Sequence, residues 1–165
     1  MLKKALLVID IQNDTVKNYK EVIGNINKAI EWAVHSDIHV VYIRHENLSD
    51  GTKVFKPNTR GSELASDLKI VSKNVFTKYK GSALSSEEFT EFISQNEISD
   101  FYLTGADATI CVKSTCYNLC KANYNVTVLS DCISSWDKKK ISEMLDYYKS
   151  KGSNVISLKD LLSSA

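Results

Sequence analysis

Six short strand-like runs, most of them separated by segments of helical periodicity, set the first limit on how this chain can fold. Residues 5–9 (Ala-Leu-Leu-Val-Ile) are apolar without interruption, the pattern of a strand buried on both faces. Ile23, Ile26, Ile30 and Ala33 follow at helical spacing, and residues 38–43 form a second strand. Residues 45–61 carry Gly51, Pro57 and Gly61 and read as a long irregular loop, a kind of segment that is usually functional. A short third strand covers 75–77. Ser85, Ser86, Glu87 and Glu88 read as a capping box before a helix that buries Phe89, Phe92 and Ile93. A strand at 98–104, a turn at 105–110 and a helix at 111–122 come next, then a fifth strand at 126–129. Asp137 starts a helix with Ile141, Met144, Leu145 and Tyr148 inward, and a sixth strand at 155–157 leads into a short terminal helix. Repeated β-α units with apolar strands require a parallel sheet covered by helices on both faces. The expected fold class is α/β: a three-layer sandwich around a doubly wound, six-stranded parallel sheet, as a single domain over residues 1–165.

Composition narrows the function classes. With 43% hydrophobic and 25% charged residues, the chain has the make-up of an ordinary globular domain. Its net charge is +1 and its lysines are scattered, so nothing points to nucleic acid. No apolar stretch approaches the roughly 20 residues that span a bilayer. The opening residues superficially resemble a signal peptide, but the apolar run ends at Asp10 without a small-residue cleavage site. Cys111, Cys116, Cys120 and Cys132 form no C-x-x-C pair and have no histidine at zinc-ligand spacing. The expectation is a cytoplasmic protein with four reduced thiols, no cofactor and no metal.

Chemistry concentrates at the carboxyl ends of the strands, where open parallel sheets bind ligands. Asp10 ends the first strand, Lys78 the third, and Cys111 follows the fourth at the start of a helix. Unpaired N–H groups and the helix dipole there favour a thiolate, the nucleophilic form of cysteine. Asp10 would take the thiol proton, Lys78 would balance the carboxylate and favour the thiolate, and Cys111 would attack a carbonyl. Backbone N–H groups of the 105–111 turn would hold the oxyanion. Gln12, Arg44, His45 and Tyr79 are candidate substrate contacts, Gln12 because strand alternation turns it toward the same site. Arg60 is a further possible anion anchor, and Phe55 and Trp136 are candidate pocket walls.

Three ordered blocks then resemble one family. They are Asp10-Ile-Gln12-Asn13-Asp14, Lys78-Tyr-Lys-Gly-Ser82-Ala83, and Leu103-Thr-Gly105 followed by Cys111-Val112 and Val128-Leu-Ser-Asp131. Together they are similar to the isochorismatase-like cysteine hydrolases, which include nicotinamidases and N-carbamoyl amidohydrolases. The resemblance implies a Rossmann-like fold and matches Asp10, Lys78 and Cys111 to the catalytic triad. It also implies a cis Ala106–Asp107 bond and an oxyanion hole from the N–H groups of Asp107 and Cys111. Homo-oligomers are common in the family.

The departures direct the functional expectation. His45 alone cannot reproduce the histidine set of metal-dependent nicotinamidases, because His35 and His39 precede that region. No metal is expected, and nicotinamide is disfavoured with it. Thr15 and Leu84 stand where the family often has aromatic residues, altering the expected pocket walls; Asp107 places a carboxylate beside the oxyanion hole, and Ala108 replaces a common Thr. The leading expectation is a metal-independent cysteine hydrolase cleaving a C–N bond of a small amide or carbamoyl compound. The alternatives are an inactive binding or assembly subunit of the same fold, or a vinyl-ether hydrolase of isochorismatase type.

Overall fold

The computed structural model describes residues 3–164. Met1 and Leu2, the start of the signal-like segment, lie outside the described residues, as does Ala165. Six strands form one all-parallel sheet: β1 (Lys4–Ile9), β2 (His39–His45), β3 (Val75–Lys78), β4 (Asp100–Gly105), β5 (Asn125–Ile133) and β6 (Asn154–Ile156). Their spatial order is β3-β2-β1-β4-β5-β6, which reverses direction at β1 and leaves a crevice between the ends of β1 and β4. The sheet is the doubly wound α/β arrangement that the apolar runs required.

Side-chain alternation divides the core into two layers. Ala5, Leu7, Ile9, Val41 and Ile43 face one layer, closed by α2 (Glu87–Gln95), α3 (Cys111–Lys121) and α4 (Ile141–Ser150). Leu6, Val8, Val40 and Tyr42 face the other, closed by α1 (Lys20–His35) and α5 (Leu158–Ser163). Each β1 side chain from Ala5 to Ile9 is fully buried, which is why no polar residue interrupts that run. Fully burying one such side chain contributes about 1.5–3 kcal/mol. No described helix is long and apolar enough to cross a membrane.

Several boundaries differ from the expectation for local reasons. The N-cap of α2 is Ser86, whose hydroxyl accepts from Phe89 N–H at 3.2 Å, so the cap falls one residue later than the Ser85 box. Asp137 caps a 3₁₀ turn over Lys138–Lys140 rather than α4 itself. The fifth strand continues through half-buried Ser130 and Asp131 to Ile133, past the point where its apolar run stops. Residues 46–74 contain no strand or α-helix, only a short 3₁₀ turn at Arg60–Ser62 and an isolated antiparallel bridge between Leu64 and Gln12.

Register brings the strand ends together. Ile9 lies beside Ile43 on one side and Gly105 on the other, while His45 lies beside Lys78. Gly105 has φ +115°, and a Cβ there would stand 2.1 Å from the Ile9 carbonyl oxygen. Only glycine permits both that conformation and that approach. Gly105→Ala is therefore expected to lower the thermal unfolding midpoint by more than about 6 °C, equivalent to about 3 kcal/mol for a chain of this size. Calorimetry checks this, and an unchanged midpoint would refute the close-approach argument.

Candidate active site

Four side chains meet at the end of the sheet. Lys78 is carried by the last residue of β3, and its side chain is fully buried. Its ammonium donates to Asp10 Oδ2 at 3.1 Å, to His45 Nδ1 at 3.1 Å and to Cys111 Sγ at 3.3 Å. Asp10 follows β1 in a left-handed conformation, φ +54°, which is strained for a non-glycine residue and frequent at functional sites. Cys111 is the first residue of α3, so its thiol lies at a helix N-terminus. Asp10, Lys78 and Cys111 are thus brought together from three separate elements.

The electrostatics differ from the expected resting thiolate. Burial and the Asp10 charge push the Cys111 thiol up to about 12, outweighing Lys78, which acts in the opposite direction. Burial likewise raises the Asp10 carboxyl, while Lys78 opposes that rise. Burial and Lys78 lower His45, which is a neutral imidazole with its proton on Nε2, since Nδ1 accepts from Lys78. The resting site is a protonated thiol beside a lysine-paired carboxylate, and the helix terminus does not by itself create a thiolate.

The turn before Cys111 is held from several directions. The Ala106–Asp107 peptide bond is cis. The Asp107 carboxylate accepts from Thr109 N–H and Oγ1, each at 2.9 Å, from Ser135 Oγ at 3.0 Å, Trp136 N–H at 2.7 Å and Tyr19 Oη at 3.1 Å. Although burial opposes ionisation, those donors together hold its carboxyl below the ordinary carboxylate range. The N–H groups of Ile110 and Val112 donate to the Asp107 carbonyl, whereas those of Asp107 and Cys111 have no partner among the described residues. Ala108 N–H donates to Ser134 O, and Tyr148 Oη donates to the Ala108 carbonyl.

A cavity of about 330 Å³ opens beside the thiol, lined by Thr15, Tyr19, His45, Asn47, Val54, Phe55, Gly81 and Ile110 together with Asp10, Asp107 and Cys111. Phe55 is a wall, and its ring meets His45 edge-on at 5.9 Å. Three proposed substrate contacts lie elsewhere. Gln12 is spent on the backbone: its amide donates to His45 O at 2.9 Å and Ser62 O at 2.8 Å and accepts from His45 N–H at 2.9 Å. Arg44 turns to Ser62 O, Thr77 Oγ1 and Glu46. Tyr79 is 54% exposed and borders a separate cleft with Glu87 and Glu88. Arg60 is exposed, and Trp136, 71% exposed, lines a neighbouring cavity instead of this one. Leu84 packs against the core.

The Gln12-Asn13-Asp14 segment is instead a clamp on the long loop. Asn13 donates to Arg60 O at 2.9 Å, and Asp14 accepts from Phe55 N–H at 2.7 Å. It therefore sets the position of the Phe55 wall. Tyr19, Asn47, Val54 and Ile110 escaped sequence reasoning; Tyr19 carries no local signal, because its Asp107 partner lies 88 residues away. Among the described residues no group of three or more His, Cys, Asp or Glu side chains is arranged to hold a metal ion.

A thiol, a carboxylate and an ammonium at the switch point of a parallel sheet define a cysteine-centred site of the α/β class. The family model described as "Isochorismatase domain" matches residues 4–160, and the chain belongs to the isochorismatase family of hydrolases. It is 26% identical over 153 residues to isochorismatase family protein 2A of Dictyostelium discoideum, covering 90% of this chain and 74% of that protein. An isochorismatase-like hydrolase from Alkaliphilus metalliredigens superimposes with a TM-score of 0.88 at 24% identity, over 99% of this chain and 98% of the other. N-carbamoylsarcosine amidase from Thermoplasma acidophilum superimposes at 0.82 and 23% identity, over 95% and 97%. These two likenesses establish the shared fold.

Asp10→Asn removes the negative charge that helps keep Cys111 protonated. Ultraviolet titration of the thiolate is expected to show Cys111 ionising at lower pH in Asp10→Asn than in the native protein, with turnover nevertheless lost. The contribution of Cys111 is isolated by subtracting the titration of Cys111→Ala. An unchanged or raised Cys111 titration would contradict the paired arrangement.

Proposed function

We propose that this chain is a metal-independent cysteine hydrolase that cleaves the C–N bond of a small amide or carbamoyl compound, with Cys111 as nucleophile. The observation that carries the reading is the single buried ammonium of Lys78, bonded at once to Asp10 and Cys111. The N-carbamoylsarcosine amidase among the structural relatives supports C–N chemistry on this fold.

The reaction follows from the protonation states. As the Cys111 sulfur attacks the carbonyl carbon, Asp10 takes the thiol proton, so no free thiolate is needed in the resting enzyme. Negative charge develops on the carbonyl oxygen, where the unpaired N–H groups of Asp107 and Cys111 would donate to it. When the C–N bond breaks, the leaving nitrogen takes the proton from Asp10 and departs as ammonia or an amine. The acyl group remains as a thioester. Water then attacks the thioester with Asp10 again accepting a proton, and collapse releases the acid and returns the proton to sulfur. Lys78 favours the ionised form of Asp10 between proton transfers and holds the carboxylate beside the thiol.

Asp107 keeps its negative charge, and its hydrogen bonds make it a brace for the turn. Five donors surround its carboxylate and fix it in place, so it braces the turn that presents the two N–H groups. Ala108 supplies a small buried side chain at the same turn. The expected homo-oligomer and cytoplasmic location remain parts of this proposal, to be tested by light scattering and by fractionation.

Ammonia release from a panel of small amides and ureas tests the reading. At least one compound is expected to turn over, and Cys111→Ala should reduce its kcat by about 10⁴-fold or more while leaving the unfolding midpoint near that of the native protein. Substantial activity in folded Cys111→Ala would refute Cys111 as nucleophile.

A further inference from the structure

Among the described residues, the pocket beside Cys111 is lined by apolar walls and fixed negative charge, with no Lys or Arg side chain in its lining. Val54, Phe55 and Ile110 supply the apolar surface, and Thr15 and Asn47 supply uncharged polar groups. The carboxylates lining the cavity are Asp10 and Asp107. Lys78 balances Asp10, and its ammonium is already bonded to Asp10, His45 and Cys111. Asp107 has no cationic partner among the described residues; all five of its donors are uncharged.

Lys53, Lys56 and Lys80 flank lining residues in sequence, but their exposed side chains are not part of the cavity wall, and the cations considered next have partners elsewhere. Arg44, an attractive carboxylate anchor from its position at the end of β2, bonds Ser62, Thr77 and Glu46 and borders a different cleft. Lys138, whose ammonium lies 5.6 Å from the centre of the Tyr19 ring, pairs with Glu21 at 2.6 Å. Lys113 and Lys140 line the neighbouring cavity, where Lys113 sits over the Tyr147 ring at 4.9 Å and Lys140 lies 3.8 Å from Glu143. His45 faces the cavity as a neutral ring turned toward Lys78. The N-terminus of α3 favours negative charge, but only at the position of the reacting carbonyl oxygen, where the free N–H groups of Asp107 and Cys111 lie.

We propose that this site selects uncharged amides and rejects those whose acyl portion carries a carboxylate, because among the described residues the pocket's one charge without an ionic partner, Asp107, is negative and no Lys or Arg side chain lines the cavity. The inference rests on the amide-hydrolase reading and narrows it to a substrate class. A carboxylate entering the cavity loses its water, gains no ion pair and is repelled by Asp107. An uncharged acyl group loses little and gains contact with Val54, Phe55 and Ile110.

Succinamide and succinamate test this, since they are matched in size and differ at one end by an amide against a carboxylate. Binding of each to the Cys111→Ala variant is measured by calorimetry at neutral pH, and ammonia release from each is measured with the native enzyme. Succinamide is expected to bind about a hundredfold more tightly than succinamate, and the ratio of kcat/KM values should favour it in the same direction. A preference below tenfold, a preference for succinamate, or no binding of either would overturn the inference. Selective binding of succinamide to Cys111→Ala, with no ammonia released from any amide by the native enzyme, would uphold the charge selectivity and refute the hydrolase reading instead.

Discussion

The ammonium of Lys78 is the contact on which the site depends. It is buried completely, and a lone ammonium in that position would lose several kcal/mol of hydration. Three acceptors offset the loss: a carboxylate, an imidazole nitrogen and a sulfur. Each acceptor belongs to a different part of the sheet edge, so the ammonium holds the ends of β1, β2 and α3 in one geometry. The strand registers deliver those ends to it, with His45 beside Lys78 and Ile9 beside Gly105. Removing the charged partner from such a buried ion pair typically costs about 3–5 kcal/mol, which ties the Asp10–Lys78 pair to local stability.

Around that centre the molecule separates rigid support from pocket wall. The turn at 106–110 is braced through Asp107 by donors from two other places, Tyr19 and the Ser135–Trp136 pair, and by Thr109 within the turn itself. The long segment between β2 and β3 is tied down by Gln12, Asn13 and Asp14, and it contributes Asn47, Val54 and Phe55 to the cavity. A motif that reads as substrate contact therefore works one step back, by positioning the loop that forms the wall.

Some of this was legible in the residues themselves. Buried parallel strands must be apolar on both faces, so the run at 5–9 announced β1, and the β-α alternation announced the sheet. Asp10, Lys78 and Cys111 could be placed at one edge because the carboxyl ends of parallel strands share an edge. Gln12, Arg44 and Tyr79 misled for a common reason: a side chain's proximity to a strand end does not reveal whether backbone groups elsewhere already satisfy it. Gln12 meets Ser62, 50 positions away, and Arg44 meets the same carbonyl. The resting thiol was also beyond sequence reasoning, because the helix terminus is visible in the pattern while the depth of burial that outweighs it is not.

In the proposed reaction Cys111 carries the acyl group, with Asp10 moving protons and Lys78 holding both in register. Acid-quenched turnover followed by peptide mass spectrometry examines that claim most directly, using an amide that the enzyme hydrolyses and a deuterated copy of it. The predicted result is a Cys111 peptide heavier by the acyl group, with the increment shifting by the deuterium content and disappearing when hydroxylamine is present to intercept the thioester as a hydroxamate. Ammonia release without hydroxamate formation, and with the acyl increment absent from Cys111, would contradict it.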